Sequence, residues 1–175
     1  ARDLVGDHPF AVLLADDFIC GQESTLATMA RIHSETGDNI VAIMEVPEKE
    51  TSKYGIINGS NIKDKDNVIK IHSMVEKPAP GQAPSCQAII GRYILSPRIF
   101  DFLEDQQTGA GDEVQLTDAM RRLLEEQTFL GYVFNGTRFD CGSKIGFVKA
   151  NIYQALNHID LSEELTQYLS QIRLT

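Results

Sequence analysis

Three continuous apolar runs, each followed closely by an acid or a proline, constrain the fold of this sequence most strongly. They cover residues 10–15 (FAVLLA), 39–46 (NIVAIMEV) and 88–95 (AIIGRYIL). Continuous hydrophobicity is typical of strands that are buried on both faces, as in a parallel or mixed sheet covered by helices. The sequence therefore predicts an α/β fold.

The intervening segments predict the remaining elements. Ser24 is placed to cap a helix over 24–35, and Gly37 to end it. The pair Asn58-Gly59 predicts a tight turn. The order of strand, helix and strand, followed by a hairpin-rich middle, predicts one domain over 1–175. Further strands are expected at 68–75 and 129–134, and further helices from Pro97 and over 112–127, 144–156 and 161–172.

Charge and hydropathy exclude several classes of function. The 175 residues include 16 Lys and Arg against 25 Asp and Glu, a formal net charge of −9. This balance argues against a nucleic-acid binder, whose affinity comes mainly from cations on phosphates. No apolar run approaches the roughly 20 residues of a membrane-spanning helix. If the protein handles phosphates, it must do so locally, with a metal ion or a few cations.

The cysteines predict neither disulfides nor a zinc site. Cys20, Cys86 and Cys141 are odd in number and far apart, without a C-x-x-C pair. We expect reduced thiols that pack as small apolar groups. The sequence carries no signal peptide, so a cytoplasmic setting is expected.

Two aspartates follow predicted strands at positions where substrates bind in α/β proteins. Asp16 closes the first apolar run, and Asp140 follows the strand at 129–134 and precedes Gly142. Ligands of open α/β sheets lie beyond the carboxyl ends of the strands. Carboxylate oxygens there suit Mg²⁺ that also binds substrate phosphates. The alternative is that Asp16 and Asp17 only form a turn or a helix cap.

A second group of candidates surrounds the strand at 68–75. Glu76 can accept hydrogen bonds from vicinal sugar hydroxyls, and Lys77 can offer its charge to a phosphate. Gly55 permits close approach of the backbone to a ligand. An exposed ion pair and an ordinary glycine at the start of a strand are the alternatives. The acids at 112–118 are explained by the dipole of the helix that they begin.

The order of six motifs resembles the bacterial UTP–glucose-1-phosphate uridylyltransferases (UDP-glucose pyrophosphorylases), within the sugar nucleotidyltransferases. The matches extend over nearly the whole chain, with Ala15 in place of the family's proline. They lie at 13–16 (LLAD), 54–57 (YGII), 75–78 (VEKP), 91–95 (GRYIL), 109–118 (GAGDEVQLTD) and 140–146 (DCGSKIG).

One family signature is absent from these 175 residues. The family carries a Gly-rich loop of the type Gly-Leu-Gly-Thr-Arg, which holds the nucleotide phosphates, and no such run occurs here. We therefore expect the N-terminal part of the catalytic domain to be missing from this chain. The 175 residues alone are expected to have negligible activity.

The resemblance implies a Rossmann-like mixed sheet with flanking helices, of the nucleotide-diphospho-sugar transferase type. It implies that UTP and glucose 1-phosphate give UDP-glucose and pyrophosphate, with Mg²⁺ held by Asp16 and Asp140. Gly55 and Glu76 would contact the sugar, and Lys77 the sugar phosphate. Residues 112–118 would serve structure or a subunit contact. The family's assembly into homodimers or homotetramers is expected here too.

Two other classes of function remain open. A non-catalytic sugar-nucleotide-binding or assembly module could keep this fold. A phosphatase or phosphate-switch domain could use Asp16 and Asp17 as its acidic pocket. The phosphatase, however, needs an acid two residues after its nucleophilic aspartate, where Phe18 stands here.

Overall fold

The computed structural model describes residues 1–63, 65–104 and 115–172. The described residues form two compact units. One comprises those of Ala1–Leu14 and Gly21–Asn135, and the other those of Ala15–Cys20 and Gly136–Thr175. The expectation of a single domain over 1–175 stays a prediction.

The described residues form eight strands in two sheets. The larger unit contains a six-stranded mixed sheet of order β1-β6-β3-β7-β5-β4, in which β3 and β7 are parallel. β4 also pairs with β6 where Ile56 meets Ala88. The strands are β1 (Phe10–Leu13), β2 (Asp17–Cys20), β3 (Asn39–Glu45), β4 (Gly55–Asn61), β5 (Val68–Glu76), β6 (Gln87–Leu95), β7 (Phe129–Val133) and β8 (Thr137–Asp140).

Helices of the larger unit cover this sheet. The predicted cap is confirmed, because the Ser24 hydroxyl accepts a hydrogen bond from the Ala27 N–H at 3.3 Å, and Gly37 ends the helix with φ of 75°. Met120 and Leu123 pack with Ile43, Ile71 and other sheet residues in one core. The helices are α1 (Arg2–Val5), α2 (Thr25–Thr36), α3 (Ile99–Glu104) and α4 (Leu116–Leu123), with a 3₁₀ helix at Glu48–Lys53.

The predicted strand positions are largely confirmed, but burial differs for β1. β3 is buried over Asn39–Ile43, as the apolar run predicts. β1 instead alternates between half-buried and exposed residues, and Leu13 is 51% exposed. The alternation arises because Phe10 and Val12 pack against the core, whereas Ala11 and Leu13 lie on the exposed face of the strand.

One local prediction was wrong, and one predicted helix is confirmed but ends earlier than expected. Asn58 and Gly59 lie inside β4, where the register against β5 shifts between them. The pair therefore forms a β-bulge and not a tight turn, since the bulge also needs a residue that tolerates close backbone approach. The helix predicted over 112–127 is described from Leu116 and ends at Leu123. Residues 112–114 lie outside the described residues.

The smaller unit has a two-stranded antiparallel sheet followed by two helices. β2 pairs with β8, with Asp17 opposite Asp140. The helices are α5 (Lys144–Leu156) and α6 (Ser162–Gln171), close to their predicted bounds. β2 and β8 were not predicted, because each spans four residues and lacks a long apolar run.

Candidate functional site

Asp16 and Asp140 lie together in the smaller unit. Asp16 directly precedes β2, and Asp140 is the last residue of β8. The Cys141 N–H donates to the Asp16 carbonyl at 2.7 Å, which extends the strand pairing past both carboxylates. The two candidate metal ligands are therefore held at the same end of one sheet.

Gly142 leaves open the space that these two carboxylates share. A Cβ at Gly142 would lie 2.8 Å from Asp16 Oδ2 and 3.2 Å from Asp140 Oδ1. The two oxygens thus flank one point that no side chain fills. The Gly142 N–H also donates to Asp140 Oδ1 at 3.1 Å, which fixes that carboxylate. Hard oxygen donors beside an open position fit a divalent cation that takes its other ligands from phosphates and water.

Residues at the N-terminus of α5 contact the backbone of Asp140. The Ser143 hydroxyl donates to the Asp140 carbonyl at 2.9 Å and accepts from the Gly146 N–H at 3.1 Å. Any Cβ at Gly146 would lie only 1.8 Å from the same carbonyl oxygen. Ser143 and Gly146 of this motif therefore allow the helix to pack against Asp140.

Asp17 forms an ion pair with Arg138. Nε and Nη2 of Arg138 both contact Asp17 Oδ1. The side chains are buried, with 12% of Arg138 and 7% of Asp17 exposed. No three His, Cys, Asp or Glu side chains converge as a metal site within 1–63, 65–104 and 115–172. Asp17 is thus not a third donor beside Asp16 and Asp140.

Gly55, Glu76 and Lys77 meet at one end of the β4–β5 pair in the larger unit. Gly55 is the register partner of Glu76, and the Lys77 N–H donates to the Tyr54 carbonyl at 3.0 Å. A Cβ at Gly55 would lie 3.1 Å from both Glu76 Oε2 and Thr117 Oγ1. Because Gly55 has no side chain, the Glu76 carboxylate can occupy its present position without a close contact.

The Glu76 carboxylate and the Lys77 ammonium lie side by side. Lys77 Nζ is 3.7 Å from Glu76 Oε1, and the exposed fractions are 53% for Lys77 and 13% for Glu76. Lys77 has a φ of 43°, in the left-handed region that side-chain-bearing residues rarely adopt. The arrangement presents one acceptor and one half-exposed cation, two groups that suit a hydroxylated anion.

The structure thus brings the sequence candidates together in two groups. Asp16 and Asp140 belong to the smaller unit, and Gly55, Glu76 and Lys77 to the larger one. Sequence reasoning missed the Arg138 partner of Asp17, because a single arginine in a short strand carries no signal. It also missed Thr117 beside Glu76, although the motif at 109–118 contains it.

The three cysteines are free thiols, as predicted. Burial raises the pKa of the Cys20 thiol, and the neighbouring Cys141 raises it further. Cys20 Sγ lies 3.7 Å from Gln154 Oε1. Since the thiolate is the nucleophile, these surroundings favour a packing role for Cys20.

The fold and these motifs define a nucleotidyltransferase. The family model for nucleotidyl transferases matches residues 1–155, and the chain belongs to that family.

Among known proteins, the chain is similar to enzymes named UTP–glucose-1-phosphate uridylyltransferase. That of Staphylococcus epidermidis is 42% identical over 172 residues, covering 98% of this chain and 59% of the relative. That of Pseudomonas aeruginosa is 48% identical over 151 residues, covering 85% of this chain and 53% of the relative. The chain therefore spans little more than half the length of these relatives.

Solved structures give the same likeness. A UDP-glucose pyrophosphorylase complexed with UDP-glucose superposes with a TM-score of 0.82 at 42% identity, covering 87% of this chain and 58% of that one. The UTP-bound UGPase from Acinetobacter baumannii superposes with a TM-score of 0.87 at 33% identity, covering 99% and 60%. The expected family and α/β fold are confirmed.

Proposed function

We propose that the whole protein transfers the uridylyl group of UTP to glucose 1-phosphate, releasing pyrophosphate and forming UDP-glucose. The observation that carries the proposal is the convergence of the Asp16 and Asp140 carboxylates at Gly142, in a chain whose relatives bear that activity as their name. A pair of carboxylates beside an open position suits a reaction between two phosphates, because each substrate is an anion.

Asp16 and Asp140 would hold Mg²⁺ through Oδ2 and Oδ1, the oxygens that flank Gly142. When bound there, the ion neutralises charge on the phosphates and orients the reactants. The fixed position of Asp140, bonded through its carboxylate to Gly142 and through its carbonyl to Ser143, limits the reorganisation that metal binding requires.

Glu76, Gly55 and Lys77 would bind the sugar phosphate. The mostly buried Glu76 carboxylate meets Lys77 Nζ at 3.7 Å through Oε1, a long contact that leaves acceptor capacity for two neighbouring hydroxyls. The Gly55 backbone can approach the sugar because no side chain intervenes. The half-exposed Lys77 ammonium would meet the phosphate and the charge that develops on the reacting phosphorus.

The reaction itself needs little proton chemistry. A phosphate oxygen of glucose 1-phosphate attacks the α-phosphorus of UTP, and the bond from that phosphorus to the bridging α–β oxygen breaks in line. The electron pair leaves with pyrophosphate, and no covalent enzyme intermediate forms. The protein contributes positioning and charge stabilisation, which dominate phosphoryl-type transfer.

The proposal extends to the location, the oligomeric state and the partners of the protein. We infer a cytoplasmic homodimer or homotetramer without nucleic-acid or membrane partners, as the family resemblance and the net charge of −9 suggest. Among the described helices, none combines the length and apolar character needed to cross a bilayer.

An assay of pyrophosphate release by the full-length protein tests the proposal. UTP, glucose 1-phosphate and Mg²⁺ together should give continuous release, and EDTA should stop it until Mg²⁺ is restored in excess. Replacing glucose 1-phosphate by glucose 6-phosphate is the matched control, since it has the same charge and no anomeric phosphate. Binding of UDP-glucose without turnover would instead favour a non-catalytic module.

A further inference from the structure

The ion pair of Asp17 and Arg138 lies in the strand pair that contains Asp140 and that Asp16 directly precedes. Asp17 is opposite Asp140 in the β2–β8 register, and Arg138 precedes Asp140 by two residues on the same strand. Side chains two residues apart on a strand point to the same face, as do those of register partners. Arg138, Asp17 and Asp140 therefore start on one face of this small sheet.

The charges at this end of the sheet would otherwise be unfavourable. Asp16 and Asp17 are adjacent in sequence, and Asp140 is the register partner of Asp17. Three carboxylates are therefore concentrated at one end of the β2–β8 pair. Arg138 contacts Asp17 through two nitrogens, and both side chains are buried. A buried carboxylate held by a guanidinium is fixed in direction as well as compensated in charge.

We propose that Arg138 is a positioning residue for the divalent-cation site. By holding Asp17, it keeps that carboxylate out of the site, so that Asp16 and Asp140 alone face the cation with a joint charge of −2. The inference rests on the proposed role of Asp16 and Asp140. On this inference, the contact between Arg138 and Asp17 determines which two of the three aspartates serve as ligands.

Two features of the described residues support this assignment. Asp16 Oδ2 and Asp140 Oδ1 flank one open point at Gly142, whereas the contacts of Asp17 Oδ1 run to Arg138. The three carboxylates also do not form a three-ligand group anywhere in the described part of the chain. A cation that keeps two protein ligands retains positions for substrate phosphates and water, as Mg²⁺ requires in such sites.

The sign of the electrostatic effect separates this role from simple support of the fold. Removing Arg138 takes away a positive charge and its two contacts with Asp17, so both changes should tighten cation binding. Removing the charge of Asp17 takes away a negative charge while that of Arg138 stays, and should weaken binding. If the pair served stability alone, both single changes would loosen the site, and affinity would fall in both.

Titration of the full-length protein with Mn²⁺, followed by calorimetry and by the EPR signal of free Mn²⁺, tests the proposal. Mn²⁺ accepts the same oxygen donors as Mg²⁺. Relative to the wild type, Arg138→Met should bind about tenfold tighter and Asp17→Asn about tenfold weaker. The double variant Asp17→Asn with Arg138→Met should return to within about threefold of the wild type, because it removes one charge of each sign.

Arg138→Lys is the matched control, because it keeps the charge and should leave Mn²⁺ affinity close to that of the wild type. If circular dichroism shows that Arg138→Met does not fold, Asp17→Asn alone tests the proposal. Unchanged or tighter Mn²⁺ binding by Asp17→Asn would then overturn it. Weaker binding by both single variants overturns it as well. Asp16→Asn should lose the Mn²⁺ site. Equal Mn²⁺ binding by Asp16→Asn and the wild type would disprove the proposed metal site itself. That outcome differs from one that disproves only the role of Arg138.

Discussion

At the scale of single residues, Lys77 combines an unusual backbone with an exposed charge. Its φ of 43° lies in the left-handed region, and the hydrogen bond from its N–H to the Tyr54 carbonyl holds it there. Strain of this kind costs of order 1–3 kcal/mol and persists where the surrounding structure enforces it. The conformation places the ammonium beside Glu76, so the side chains of two consecutive residues act together.

Replacement of Lys77 by alanine should affect one substrate more than the other. Loss of the ammonium removes a charge for the sugar phosphate, so we expect KM for glucose 1-phosphate to rise at least tenfold and that for UTP to change less than threefold. Steady-state kinetics of the full-length protein measures both. Lys70→Ala, an exposed lysine of β5, the strand that Lys77 directly follows, is the control and should leave both constants unchanged. Equal losses for the two substrates would contradict the role of Lys77.

Asp16→Asn tests the metal ligand at the same scale. The amide keeps the size of the side chain but removes its charge, so pyrophosphate release should fall by about 10²–10⁴-fold, as removal of a transition-state charge contact does. The circular dichroism spectrum should match that of the wild type. Near-normal Mg²⁺-dependent activity in this variant would exclude Asp16 as a ligand.

The residue scale also shows how far the sequence predicts a site. Asp16 and Asp140 could be singled out because a carboxylate after a strand is a recognisable signal. The direction of Asp17 could not, since it depends on Arg138, a residue 121 positions away that is brought near by strand pairing. Whether adjacent aspartates share or divide their roles is decided by tertiary contacts.

At the scale of secondary structure, the sequence predicts those elements whose signals lie within the element itself. The buried run of β3 and the caps of α2 follow from periodicity and from Ser24 and Gly37. The turn signal of Asn58-Gly59 failed, because the same residue types also form bulges, and the pairing of β4 with β5 selects between them. β2 and β8 could not be predicted, because their partners are far apart in sequence.

The bulge in β4 yields a stability prediction. A Cβ at Gly59 would lie 2.5 Å from Ile69 Cγ2 and 2.6 Å from the Lys70 carbonyl oxygen, so the strand pair would have to separate. Gly59→Ala should lower the free energy of unfolding by about 1–3 kcal/mol, the usual cost of overpacking. Urea denaturation measures the change.

Gly81→Ala is the control for this prediction. Unlike Gly59, Gly81 carries a positive φ, of 75°, and a Cβ there meets no atom within 4 Å. Its substitution should therefore cost only about 1 kcal/mol, from backbone conformation alone. A smaller loss for Gly59→Ala than for Gly81→Ala would show that the bulge relaxes around the added methyl group.

At the scale of the whole chain, the proposed function would require a net charge of −9 over these 175 residues to coexist with anionic substrates. The general field of such a chain disfavours nucleotides, so under the proposal binding energy would come from local features, namely a cation at Asp16 and Asp140 and the ammonium of Lys77. Metal and sugar nucleotide should therefore bind cooperatively, because each carries charge that the other compensates. This coupling should be visible in the stability of the folded protein.

Thermal unfolding of the full-length protein measures that coupling. A ligand that binds the folded state alone stabilises it by about 2.7 kcal/mol at one hundred times its Kd. We expect UDP-glucose with Mg²⁺ to raise Tm by more than the sum of the two separate increases. Asp16→Asn should abolish the excess, and Glu76→Gln should reduce the increase due to UDP-glucose while leaving that due to Mg²⁺.

Asp101→Asn is the matched control for this whole-molecule effect, since it makes the same chemical change at a surface carboxylate. Hydrogen bonds from Arg2 and Arg98 hold the pKa of Asp101 below its usual range, so the substitution should lower Tm of the unliganded protein. It should leave both ligand-induced increases unchanged, because Asp101 belongs to α3 and none of the proposed ligand contacts involves it. Additive increases in the wild type would mean that metal and sugar nucleotide bind without sharing charge, and would contradict a cation bridging them.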